Sequence, residues 1–136
     1  MTRFKHYCLL MCALALIPPM SSARNRALTK DEAQKLVVAA IGRQVKELPH
    51  FGFDDIPSTT PQEKDFYLFE ASYSNPGGMQ IVGHYAVHKF AGAVWEFVVC
   101  REMESEGLHR LQMTFRRRIG VSANKAKQLA DVSPCN

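Results

Sequence analysis

Residues 79–100 read MQIVGHYAVHKFAGAVWEFVVC and contain the clearest strand pattern in the sequence. Two runs rich in β-branched and aromatic residues flank Phe90-Ala91-Gly92. A three-residue hairpin loop commonly carries glycine in its third position, where the backbone is left-handed. The sequence therefore predicts two antiparallel strands, 79–88 and 94–100, in a register that places Val87 opposite Trp95.

This register divides the side chains between two faces. One face would hold Ile81, Tyr85, Val87, Trp95, Phe97 and Val99. The other would hold His84, Ala86, His88, Val94, Glu96 and Val98. We expect helices to cover the first face, because it is the more apolar one. We expect the C-terminal tail to cover the second face. The alternative is that this face is a binding surface.

Upstream of the hairpin, the pattern predicts a third strand and a helix. Residues 66–73 alternate and are joined to the hairpin by the turn sequence Asn75-Pro76-Gly77-Gly78. Before them, Thr29 and Glu32 have the spacing of a capping box. Apolar residues then recur at three- and four-residue steps as far as Leu48, as in one helix, with Gly42 inside it. Residues 50–64 show neither period, so we expect a loop.

Downstream, residues 108–119 fit either a strand or a helix. Charge order favours the helix, because three glutamates precede this segment and three arginines end it, which suits the helix dipole. Gly120 suits its C-terminal cap, and Ser122 could cap a short helix over residues 123–130. The predicted fold class is α+β: an N-terminal helix packed on a three-stranded antiparallel meander, followed by one or two C-terminal helices.

Residues 1–23 have the pattern of a secretory signal peptide. Arg3 and Lys5 precede ten apolar residues, 8–17, and small residues lead up to Ala23. A membrane-spanning helix needs about 20 apolar residues. We therefore expect no membrane span, cleavage after Ala23, a secreted or periplasmic location, and one α+β domain over residues 24–136.

Removal of this segment changes the charge and the cysteine count. The 136-residue chain carries a formal charge of +4, and its last 113 residues carry +2. So small a charge gives no argument for a nucleic-acid partner. Of the four cysteines, Cys100 and Cys135 would remain. In an exported chain they most simply form a disulfide; the alternatives are two free thiols, or a catalytic thiol at Cys100.

No motif for catalysis, nucleotide binding or metal binding stands out, so we expect neither an enzyme nor a cofactor. On a strand, His84 and His88 would lie about 13 Å apart, too far for one metal ion. Arg116-Arg117-Arg118 could dock an acidic partner, although three adjacent helical residues cannot all face one ligand. The candidate partner-binding residues are His84, His88, Glu96, Arg116, Arg117 and Arg118.

The sequences LTKDEA at 28–33 and YAVHKFAGAVWE at 85–96 resemble PepSY-type domains and related small secreted α+β domains, including bacterial immunity-type proteins. Those domains pair a helix with an antiparallel meander. Their hairpins often carry threonine where this chain has Ala91, and an acid in the turn where it has Lys89. The likeness covers residues 28–99 and identifies no functional residue.

The resemblance implies a non-catalytic binding or inhibitory role, often toward peptidases or cell-wall enzymes. We therefore expect an exported protein-binding module, an inhibitor or immunity-type protein, whose partner is another exported protein such as a hydrolase or peptidase. One alternative is a small-ligand carrier that uses the aromatic sheet face as a pocket wall. Another is a thiol enzyme at Cys100. The oligomeric state is left open.

Overall fold

An antiparallel sheet with helices on one face makes up residues 26–135, the part of the chain that the computed structural model describes. The elements are α1 (Lys30–Ile41), a first 3₁₀ helix (Arg43–Glu47), β1 (Gly52–Asp55), a second 3₁₀ helix (Gln62–Asp65), β2 (Phe66–Asn75), β3 (Gly78–His88), β4 (Val94–Glu96), β5 (Arg101–Glu102), α2 (Glu106–Ile119) and α3 (Ala123–Ala130). The five strands lie in chain order. The α+β class is confirmed, whereas the three-strand count is wrong because β1 and β5 extend the meander.

Helix α1 begins where the sequence predicts and ends earlier. The Thr29 hydroxyl accepts the Glu32 N–H, and the Glu32 carboxylate accepts the Thr29 N–H, which completes the capping box. The expected continuation through Gly42 to Leu48 is wrong. Gly42 has a φ of +106°, which side-chain-bearing residues rarely adopt, and it breaks the α-helix. The first 3₁₀ helix follows it.

The expected loop over residues 50–64 contains β1 and most of the second 3₁₀ helix. The Phe53 ring packs beside that of Phe69, with centroids 5.7 Å apart, and this burial holds β1 on the sheet. From the second 3₁₀ helix, the buried carboxylate of Glu63 accepts the N–H of Thr59 in the remainder of the loop. A strand of four residues is too short to show a period, which explains why the sequence did not predict it.

The β3–β4 register differs by one residue from the prediction. Val87 lies opposite Val94, not Trp95. Since a one-residue shift moves every side chain of a strand to the other face, Val94 and Glu96 lie on the helix-covered face and Trp95 on the opposite one. The predicted division of β4 between the two faces is therefore wrong.

The length of the hairpin loop causes this shift. The His88 N–H donates to the Ala93 carbonyl at 2.9 Å, which leaves four loop residues between them instead of three. The Gly92 N–H donates to the His88 carbonyl at 2.8 Å. Gly92 has the left-handed φ that the sequence predicts, +67°, but in the fourth loop position.

Apolar clusters lie on both faces of the sheet. The main core joins α1, α2 and α3 to one face and contains Leu28, Ala33, Leu36, Val37, Phe69, Ala71, Tyr85, Val87, Val94, Leu108, Ile119, Val121 and Ala126. A smaller cluster on the helix-distal face contains the buried residues Phe66, Leu68 and Ala86, with Ile56, Trp95 and Phe97 packed against them. The helix-distal face is thus covered in part by its own chain.

The C-terminal elements follow their local signals. Ser105 caps α2, Gly120 ends it with a left-handed φ of +74°, and Ser122 caps α3. The helix that charge order favoured over a strand is confirmed. The structure joins Cys100 to Cys135 in a disulfide with Cα atoms 5.9 Å apart, which ties the turn after β4 to the C-terminal tail.

Candidate binding surface

Two of the predicted partner-binding residues hold the β3–β4 turn. His88 is 2% exposed, and its Nδ1 accepts the N–H groups of Phe90 and Ala91, each at 3.1 Å. Burial lowers the pKa of His88, which favours the neutral ring that this acceptor role requires. From α2, the Arg116 Nε donates to the Ala91 carbonyl at 2.6 Å. Both side chains therefore stabilise the β3–β4 turn through hydrogen bonds to its backbone.

Two further candidates form ion pairs inside the molecule. An Nη atom of Arg118 lies 2.7 Å from a carboxylate oxygen of Glu32 and joins α2 to α1. Glu96 lies opposite Tyr85 on the helix-covered face and pairs with Arg101. Burial, with the charge of Glu96 as a second cause, raises the pKa of Tyr85. The expected place of Glu96 on the helix-distal face is wrong.

Arg117 and His84 are the two remaining candidates. Arg117 is exposed in the last turn of α2. His84 is half-buried on the helix-distal face, where its Nε2 lies 3.0 Å from a carboxylate oxygen of Glu70. The six candidates thus lie in several places rather than at one site.

The helix-distal face is covered at one end and open at the other. The covered end is the smaller cluster around Leu68. Strand alternation from Leu68 brings Glu70 to the same face, and the pairing of β2 with β3 adds Ile81 and Met79. Phe97 lies where the covered end meets this surface, because its N–H donates to the His84 carbonyl at 2.8 Å and its ring packs against the smaller cluster. We call this surface the open patch; it comprises Asp54, Glu70, Met79, Ile81, His84 and Phe97.

A bulge in β3 brings Ile81 into the open patch. Ala71 pairs with Gly83, but the next residue of β2, Ser72, pairs with Ile81, so Val82 is the extra residue. Val82 packs against the main core, and Ile81 turns to the helix-distal face. The predicted helix-side position of Ile81 is therefore wrong. The available signal was Gly83, since a glycine inside a strand often marks a bulge.

Large apolar side chains of the open patch contact water. Met79 is 65% exposed and Ile81 is 56% exposed. Two more valines, Val98 and Val99, are exposed in the turn that follows Phe97 along the chain. Clustered exposed apolar side chains mark interaction sites more often than isolated ones do.

The edge of β3 beside these side chains has no neighbouring strand. Within the described residues, β4 pairs only with Tyr85 to Val87, so residues 78–83 have no partner on that edge. Sheets usually protect an edge by charge or by shortness. β1 ends in two aspartates and β5 has two residues. Residues 79–83, Met-Gln-Ile-Val-Gly, contain no charge and no proline, so this edge is chemically suited to pair with another chain.

A row of polar side chains borders the apolar part of the patch. Asp54 pairs with Glu70 across β1 and β2, and Glu70 pairs with His84 across β2 and β3. The surface therefore combines apolar area, free backbone groups and carboxylates, which suits protein recognition. The aromatic face named as a pocket wall for a carried ligand is divided: Tyr85 is buried in the main core, whereas Trp95 and Phe97 pack against the smaller cluster on the other face.

Residues 26–135 contain no cluster of three or more His, Cys, Asp or Glu side chains arranged to hold a metal ion. The helices in this range include none that is long and apolar enough to cross a membrane.

The fold is similar to that of one chain in a type VI secretion system effector–immunity complex from Pseudomonas protegens. The TM-score is 0.63 over 83% of this chain and 94% of that chain, at 22% sequence identity. This likeness shows a shared fold. No family model and no curated protein matches the chain, so the resemblance to PepSY-type domains stays a prediction.

Proposed function

We propose that this protein is an exported, non-catalytic binding module of the immunity type that binds another exported protein through the open patch. The observation that carries the proposal is the exposure of Met79 and Ile81 beside the unpaired edge of residues 78–83. The shared fold with a chain of an effector–immunity complex supports it. The sequence pattern of residues 1–23 supports the export part of the proposal.

The immunity role fits this chain better than the effector role. Cys100, the nucleophile that the sequence offered, is joined to Cys135. His88 is buried in a turn where its Nδ1 accepts two backbone N–H groups, so this nitrogen is not available as a base. A partner that placed an extended segment along β3 would gain main-chain hydrogen bonds and bury Met79 and Ile81. A hydrolase or peptidase that acts outside the cytoplasm is the partner class that we propose.

The test is inhibition of a captured partner. The tagged protein, recovered from its exported fraction, is used to capture binders, and a captured hydrolase or peptidase is assayed with and without it. The double variant Met79→Arg/Ile81→Arg should weaken binding and inhibition about 100-fold, since charges would enter an apolar contact. The matched control is Asn124→Arg/Gln128→Arg, which adds the same two charges to exposed positions of α3.

The control should bind within about threefold of the original protein. Equal loss in both double variants, or undiminished inhibition by the patch variant, would remove the open patch as the site. A protein that captures no exported enzyme and stays a solitary monomer would contradict the proposed function itself.

A further inference from the structure

A second surface, away from the sheet, has a different chemistry. A cleft of about 810 Å³ lies between α1, the first 3₁₀ helix and α2. Its lining includes the cationic side chains of Lys35, Arg43, Lys46 and Arg110 and the apolar side chains of Val38 and Leu111. We call it the basic groove.

Helical periodicity builds the groove from three segments. From α1 and its cap it takes residues 35, 38, 39 and 42, and from α2 residues 107, 110, 111 and 114. Each set has the spacing of one helix face. In a 3₁₀ helix, side chains three residues apart lie in line, so Arg43 and Lys46 reach the groove together. The groove is thus a regular consequence of the fold.

All charged side chains that line the basic groove are cationic. Lys35 lies 2.6 Å from Asp31, and Arg110 lies 2.9 Å from Glu106, so each has a partner on its own helix. Arg43 and Lys46 are exposed and make no ion pair within the described residues. No carboxylate of the described residues therefore lies within ion-pair distance of either side chain, and a concave surface concentrates the field of such charges.

The floor of the groove is apolar and has room for side chains. Val38 is 6% exposed and Leu111 is half-buried. At one end the Ser105 hydroxyl donates to the Ala39 carbonyl at 3.1 Å. Gly107 leaves open space there, since a Cβ at this position would meet no atom within 4 Å. A single-stranded nucleic acid would call for aromatic rings on which bases stack, and the lining contains none.

We infer that the basic groove binds an acidic segment of a partner protein, whose carboxylates pair with Arg43 and Lys46 while its apolar side chains contact Val38 and Leu111. The cationic side chains favour a partner with carboxylates, and the apolar floor favours a polypeptide, which also carries apolar side chains. This inference does not depend on the open patch or on the immunity role.

The probe is an acetylated hexaglutamate peptide, titrated into the isotope-labelled protein and followed through its backbone amide resonances. We expect the largest shifts at Lys35, Arg43, Lys46, Gly107 and Arg110. The variant Arg43→Glu/Lys46→Glu should weaken binding more than about tenfold. The matched control, Lys125→Glu/Lys127→Glu, makes the same change in net charge at exposed positions of α3 and should bind within about twofold.

Equal weakening in both variants would show attraction by net charge alone and would overturn the inference. So would shifts spread over the whole surface, or the lack of any shift at millimolar peptide. Tighter binding of a six-nucleotide DNA strand than of hexaglutamate in the same groove would replace the acidic protein segment by a nucleic acid. The open-patch variant Met79→Arg/Ile81→Arg should bind hexaglutamate unchanged, which separates this result from the test of the proposed function.

Discussion

His88 shows that the role of a polar side chain depends on its neighbours in space. In the sequence it is one of two histidines on a predicted strand face, and it is a candidate partner-binding residue. In the structure it is buried, and the centroid of its ring lies 5.0 Å from that of Phe66. Its Nδ1 accepts hydrogen bonds from two backbone N–H groups of the turn. Buried N–H groups need such partners. The turn, and through it the register of β4, therefore depends on a neutral histidine.

We predict that His88→Asn lowers the free energy of unfolding by about 1–2 kcal/mol at pH 7.5. Asparagine keeps an acceptor for the turn amides but loses the ring that packs on Phe66. Chemical denaturation measures the change. The control His109→Asn alters an exposed residue of α2 and should stay within about 0.5 kcal/mol of the original protein. An unchanged stability of His88→Asn would contradict a structural role for this ring.

The same variant should change the pH dependence of stability. Burial lowers the pKa of His88 below its ordinary value of 6.5, and the charge of Asp65 opposes part of that shift. Above pH 6.5 the ring is neutral in both folded and unfolded chains, so its contribution is fully present. As the pH falls below 6.5, the unfolded chain takes up the proton more readily and stability is lost. The original protein should therefore lose more stability than His88→Asn between pH 6.5 and 5.

The three adjacent arginines also differ by their surroundings. At 100° per residue, a helix turns successive side chains to different directions. Arg116 reaches the hairpin turn, Arg118 reaches Glu32 on α1, and Arg117 is exposed. Their spread around the helix could be predicted from the sequence. Their partners could not be predicted, because Ala91 and Glu32 are distant in the sequence and come close only through the packing of α2.

At the scale of elements, local signals predicted helix boundaries well. The capping box at Thr29, the left-handed glycine at position 120 and the cap at Ser122 each act within one helical turn, so the sequence contains the whole interaction. The failures involve distant contacts. β1 depends on the packing of Phe53 against β2, and the β4 register depends on side chains that hold a four-residue loop. The open patch was missed for the same reason, since the β3 bulge reversed Ile81.

The disulfide links two segments that are far apart in the sequence. It closes a separation of 35 residues between the turn after β4 and the tail after α3. We predict that Cys135→Ser lowers the Tm without preventing folding, with a cost of about 3–4 kcal/mol from the chain-entropy estimate. Thermal unfolding followed by circular dichroism under oxidising conditions measures this. Reduced original protein should unfold near the variant, and an unchanged Tm for the oxidised variant would contradict the bridge.

At the scale of the whole molecule, the two candidate surfaces follow from how the sheet is covered. Helices cover one face and a loop covers part of the other, so an apolar end of β3 remains exposed. The basic groove arises where α1 breaks at Gly42 and α2 packs beside it. A domain with two such surfaces suits a binding role, and its stability would draw on a disulfide that forms only in an oxidising compartment.

Export can therefore be tested together with the disulfide. We predict that the mature protein begins at Arg24. Because Cys8 and Cys12 lie within residues 1–23, it should keep two of the four cysteines. Intact mass spectrometry of the exported protein, alkylated after denaturation, should show no free thiol before reduction and two after it. The variant Ala23→Arg should retain residues 1–23, because cleavage requires a small residue there. Exported protein with four alkylated cysteines after reduction would contradict cleavage, and two free thiols before reduction would contradict the bridge.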